Sequence, residues 1–111
     1  MGRLVVCLPF LLEAGYSARN AADHASLLAG LGALPRVEID ADVEQRALTL
    51  QAQLARAGHH RLARADVVVI IAALADRHGL GVLHYDADYE VLLERTDVRF
   101  ESVWLAPRGT L

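Results

Sequence analysis

Residues 66–79, DVVVIIAALADRHG, are apolar on almost every side from Val67 to Ala75, turn polar at Asp76, Arg77 and His78, and stop at Gly79. A helix of that kind has no face to give to water, so other elements must cover it. Basic residues in a last turn, followed by glycine, are an ordinary helix ending. The β-branched start of the segment also suits a strand. Its alanine-rich second half and Arg-His-Gly ending favour a buried helix.

Immediately beyond it, Val82–His84 reads as a short strand. The chain then breaks into Tyr85, Asp86, Ala87 and Asp88, and a short helix running to Glu94 follows. A final strand falls near Val103–Leu105. Upstream, Leu4–Cys7 reads as a strand and Pro9 as the first turn of a helix through Leu11, Leu12 and Tyr16. Asn20 suits the N-cap of a helix that ends near Gly30 or Gly32, and RVEID a short strand. Asp40 or Asp42 opens an amphipathic helix with Val43, Ala47, Leu50 and Leu54 on one face, closed by Gly58. Strands alternating with helices predict an α/β fold with a parallel sheet, whose ligand sites lie beyond the carboxyl ends of its strands.

At 111 residues, with 54% hydrophobic and 23% charged residues, the chain is sized for one globular domain. Its longest apolar runs, Leu4–Leu12 and Val67–Ala75, are too short to span a bilayer. The single Cys7 excludes an internal disulfide framework, suits a reducing compartment, and is most simply a buried strand residue. With no cleavable leader pattern, a cytoplasmic location with no membrane partner is expected. The net charge of −3 argues against a broad nucleic-acid clamp, but not against a small site that meets phosphates through a metal.

The acidic residues carry the chemistry. Asp66 opens the buried helix, Asp86 and Asp88 follow a buried strand, and Glu13 is set among apolar residues in FLLEAGY. Each also has a plain reading. Asp66, Asp86 and Asp88 fit helix caps or first-turn carboxylates, worth about 1 kcal/mol each. Glu13 fits a solvated helix face. A His/Cys zinc site is disfavoured, since one cysteine stands alone.

Taken together, LLEAGYSAR, ADVVVIIAALADRHGLGVLHYDADYEVL and the ending VWLAPRGTL resemble the PIN domain family, specifically the VapC-type toxin ribonucleases. The resemblance covers essentially the whole chain. It implies a PIN-like three-layer α/β/α fold with a parallel sheet. It also implies a divalent-metal-dependent endoribonuclease, the toxin of a VapBC-type toxin–antitoxin pair. Carried over residue by residue, Glu13, Asp66 and Asp86 would be catalytic ligands of Mg²⁺ or Mn²⁺, with Asp88 auxiliary. The implied partners are an RNA substrate, a small antitoxin protein and a second copy of the chain.

Two departures qualify that match. The family pattern opens with a strand ending in an Asp that supplies a metal ligand, yet no acidic residue precedes Glu13 here. Residues 1–111 are therefore expected to form one partial, N-terminally truncated PIN-like domain, without the family's first strand and following helices. Ahead of Asp66, where relatives carry small hydroxyl residues or proline, stand Ala63, Arg64 and Ala65. Arg61 and Arg64, with His59 and His60, form a basic patch suited to RNA phosphates or simply to solvent.

His84 reads as packing rather than catalysis, Tyr85, Tyr89 and Trp104 as core or rim, and Arg108 as a solvated tail residue. The rival to the enzyme is an inactive PIN remnant serving only as a partner-binding module. A receiver-like acidic pocket would need a lysine, and the chain has none.

Overall fold

The structure is a computed structural model and describes residues 5–61, 65–84 and 86–104. The chain divides into two compact units, Met1–Ile39 and Asp40–Leu111.

In the first unit, β1 (Val6–Cys7) pairs in parallel with β2 (Arg36–Val37), joined by α1 (Leu8–Tyr16) and α2 (Ala21–Gly32). Pro9 sits in the first turn of α1, where its missing N–H has no intrahelical partner to lose. Asn20 caps α2, its Oδ1 accepting the Asp23 N–H at 2.8 Å. The Asp23 carboxylate in turn accepts the Arg19 N–H at 3.0 Å. Of the expected strand RVEID, Arg36 and Val37 alone enter the ladder, because β1 offers just two residues to pair with.

The second unit holds α3 (Ala41–Arg56), α4 (Ala65–His78), β3 (Gly81–His84), α5 (Asp88–Arg95) and β4 (Glu101–Trp104). Asp40 is the N-cap of α3, accepting the Val43 N–H at 2.9 Å. The stripe Val43, Leu50 and Leu54 is fully buried where α3 packs on α4. On α4, Val68, Val69 and the run Ala72–Ala75 are buried, as an all-round apolar helix requires. Tyr89 and Leu92 anchor α5 in the same core.

Gly58 and Gly79 end α3 and α4 at positive φ, 79° and 66°, whereas α2 runs through Gly30 and Gly32 and is capped by Ala33 in the right-handed region. After α4, Leu80 N donates to Ala75 O at 2.8 Å and Gly79 N to Asp76 O at 3.4 Å, the paired bonds of a Schellman ending. The chain reverses there into β3, which packs back along α4.

β3 and β4 pair in parallel, from Gly81 opposite Glu101 to His84 opposite Trp104, with α5 as the crossover. Val82 and His84 point inward, while Leu83 is exposed. The α/β class and the parallel pairing are as expected. Among the described residues the strands form two two-stranded sheets, one in each unit. No helix among these residues is long and apolar enough to cross a membrane.

Candidate active site: an acidic turn at the end of a strand

His84 closes β3 and is the one buried polar residue among those described, 7% exposed. Its ring packs between Tyr89, at 4.6 Å between centroids, and Trp104, at 4.8 Å. Tyr89 meets Phe100 edge-on at 6.1 Å, so a small aromatic cluster closes the carboxyl end of the sheet. Trp104 Nε1 donates to Glu90 Oε2 at 2.7 Å.

Both imidazole nitrogens are engaged. The Asp86 backbone N–H donates to Nδ1 at 3.1 Å, and Nε2 lies 2.7 Å from Ser102 Oγ. A backbone amide can only donate, so Nδ1 carries no proton and the proton of the neutral ring sits on Nε2, facing the serine. Burial pushes the imidazole below its ordinary pKa, against the opposing pull of the Asp86 and Glu90 charges. A neutral ring is what the Nδ1 contact requires.

The turn after β3 is held by its own carboxylate. Asp86 Oδ1 accepts the Asp88 N–H at 2.9 Å, and Asp86 O accepts the Tyr89 N–H at 3.2 Å. The cap reading and the ligand reading therefore meet in one residue. Asp86 organises the start of α5 with one oxygen while its half-buried carboxylate stands at the strand end. Asp88, the first residue of α5, is half-buried beside it.

Asp66 is exposed in the first turn of α4. Asp66 thus stands on the helix that β3 packs against. Glu13 lies in the first unit, half-buried on α1. Arg61 is exposed after α3, next to exposed His60 and half-buried His59. Arg64, Tyr85 and Arg108 lie outside the described residues, as does Leu105, the expected end of the last strand.

In kind, these donors suit Mg²⁺ or Mn²⁺: hard carboxylate oxygens, with room in the shell for water and phosphate. Among the described residues no three His, Cys, Asp or Glu side chains are grouped as a metal-holding set. Asp86 and Asp88 are joined within one turn. What sequence reasoning missed is the part played by His84, which engages the very residue predicted as a ligand. The signal was its i, i+2 spacing to Asp86 at the end of an inward-facing strand register.

No protein-family model matches the chain. Ribonuclease VapC51 of Mycobacterium tuberculosis is 38% identical over 100 residues, covering 90% of this chain and 70% of that protein. Ribonuclease VapC18 of the same organism is 38% identical over 109 residues, covering 96% and 77%. This chain belongs to the VapC ribonuclease family. The VapC ribonucleases are the toxins of VapBC toxin–antitoxin systems.

Two solved structures agree in fold. DNA-bound VapBC from Salmonella typhimurium matches with a TM-score of 0.70 at 20% identity, over 92% of this chain and 75% of that one. VapBC-5 from Mycobacterium tuberculosis matches with a TM-score of 0.61 at 26% identity, over 85% and 75%. The PIN-type α/β fold implied by the sequence is thus that of VapC proteins.

Proposed function

We propose that this VapC-family chain is a divalent-metal-dependent endoribonuclease, the toxin of a VapBC-type pair. The observation that carries the reading is the acidic turn. Asp86 and Asp88 are fixed at the carboxyl end of a parallel strand, in a chain whose relatives are ribonucleases. The relatives match across both units, so we take residues 1–111 as parts of one PIN-like domain.

In this reading Asp66 and Asp86 hold Mg²⁺ or Mn²⁺, with Asp88 assisting, and Glu13 keeps the ligand role that the family resemblance implies for it. Once bound, the cation would orient a phosphate and supply water activated as a nucleophile. The chain's own contribution is a set of preorganised hard donors. Asp86 is pinned through its amide and one carboxylate oxygen, so its direction is set before the cation arrives. Carboxylates brought to about 4 Å repel by roughly 4 kcal/mol per pair at an effective dielectric near 20, a penalty that a cation relieves. Arg61, and Arg64 beside it in sequence, would meet RNA phosphates as positioning contacts. A small antitoxin protein, a second copy of the chain and a cytoplasmic setting complete the proposal.

The test is cleavage of single-stranded RNA by the purified chain in millimolar Mn²⁺, with EDTA and Asp86→Asn as controls. We expect cleavage that EDTA abolishes and that Asp86→Asn lowers by at least about a hundredfold, the loss of a charged ligand from a metal site. Cleavage unaffected by the substitution would remove Asp86 from the site. No cleavage by the unaltered chain would favour an inactive, partner-binding PIN remnant.

A further inference from the structure

We propose that His84 is the positioning residue of the acidic turn: through Nδ1 it holds the Asp86 amide, and so sets how tightly the turn takes a divalent cation. The inference rests on the reading above that Asp86 and Asp88 receive that cation.

The geometry supports a specific role over bulk packing. His84 is anchored on both sides, by Ser102 on β4 through Nε2 and by the aromatic faces of Tyr89 and Trp104. A ring held this firmly offers its remaining lone pair, on Nδ1, in one direction, and the Asp86 N–H occupies it. The bonds from Asp88 N and Tyr89 N tie Asp86 to the helix that follows. The imidazole ties it to the strand that precedes. Between them, the Cα–Cβ bond of Asp86 is given a direction relative to the sheet.

Residues that orient metal ligands without touching the metal typically change affinity by about 10- to 100-fold when removed. His84 has the chemistry such a residue needs. It combines an acceptor for a backbone amide with a donor for a fixed hydroxyl, on a planar body that fills an apolar site.

The test separates the hydrogen bond from the packing. Mn²⁺ would be titrated calorimetrically into the full chain and into His84→Phe, His84→Asn and Ser102→Ala, with a metal-free melt of each. His84→Phe keeps a planar ring but has no acceptor, and its Kd is expected to rise about tenfold or more. His84→Asn loses the ring but restores an acceptor near the Nδ1 position, so it is expected to recover most of the affinity. A packing role predicts the reverse order, and that result would overturn the proposal.

Ser102→Ala removes the anchor without touching the turn, so a smaller loss of affinity is expected. It decides the question if His84→Phe fails to fold, and an unaltered Kd would then count against His84. Failure of the unaltered chain to bind Mn²⁺ would overturn the metal reading itself, and the role of His84 with it. Binding that His84→Phe leaves unchanged would overturn the role of His84 alone.

Discussion

Arg46 lies on α3, yet its guanidinium reaches two other segments of the second unit. Nε and Nη2 donate to Asp76 Oδ2 on α4, at 3.1 and 2.7 Å, and Nη2 lies 3.0 Å from Asp97 Oδ1 beyond α5. Asp76 also accepts the Arg99 N–H at 3.2 Å, and Gln53 Oε1 accepts the Asp97 N–H at 2.8 Å. The pair with Asp76 is about three-quarters removed from solvent, so it exceeds an ordinary surface ion pair. Arg46→Met is expected to lower stability by about 1.5–3 kcal/mol in urea unfolding, the range for a charge-assisted hydrogen bond. Nothing in sequence announces a pair thirty positions apart. The caps at Asn20 and Asp40 were legible because each spans three residues. Cys7 is the other residue with a clear consequence. Burial pushes its thiol above the ordinary value, ahead of the opposing effect of the Phe10 backbone hydrogen bond. A raised folded-state pKa contributes stability below the ordinary thiol value, and that contribution fades as pH climbs toward the folded-state value. At pH 8 the native thiol should therefore react with a disulfide reagent far more slowly than the urea-unfolded chain. Equal rates would contradict its burial.

Elements were legible where the signal was local. The boundaries of α2, α3 and α4 follow from an N-cap or a terminal glycine, and Gly79 adopts the left-handed backbone that a Schellman ending demands. Alanine there is strained by its Cβ, so Gly79→Ala is expected to cost about 1 kcal/mol, seen as a lower urea midpoint at unchanged slope. This reversal aims β3 back along α4, so a larger effect on metal response than on stability would indicate that the turn is being displaced. Strands were read less well than helices. RVEID has the right residues for five paired positions, but a ladder is as long as its shorter partner, and β1 ends at Cys7 where Pro9 has started α1. The register Val82-in, Leu83-out, His84-in was not readable from alternation, because it turns an apolar leucine outward and a histidine inward. What His84 does at its inward position depends on Ser102, eighteen residues away, and was not readable either.

For the whole molecule, the family is legible in the sequence, through the central segment that runs from Asp66 to Leu92. Fold class followed with it, and solved VapBC structures share the architecture. The chain spans 70–77% of the length of VapC51 and VapC18. The acidic set was legible as residue types but not as a constellation. Asp86 and Asp88 are joined in one turn, Asp66 stands on the helix that β3 packs against, and Glu13 belongs to the first unit. Spacing in sequence says nothing of how strongly such groups are drawn together, because their mutual repulsion is offset only by the cation. Cation binding by these carboxylates is tested directly by the melting temperature with and without millimolar Mn²⁺, in the unaltered chain and in Asp66→Asn. A ligand at a hundredfold excess over its Kd stabilises the fold by about 2.7 kcal/mol, which for a chain of this size raises the midpoint by roughly 10 °C. That rise is expected in the unaltered chain and its loss in Asp66→Asn, with the metal-free midpoints nearly equal. An equal rise in both would remove Asp66 from the site, and no rise in either would contradict the metal site as a whole.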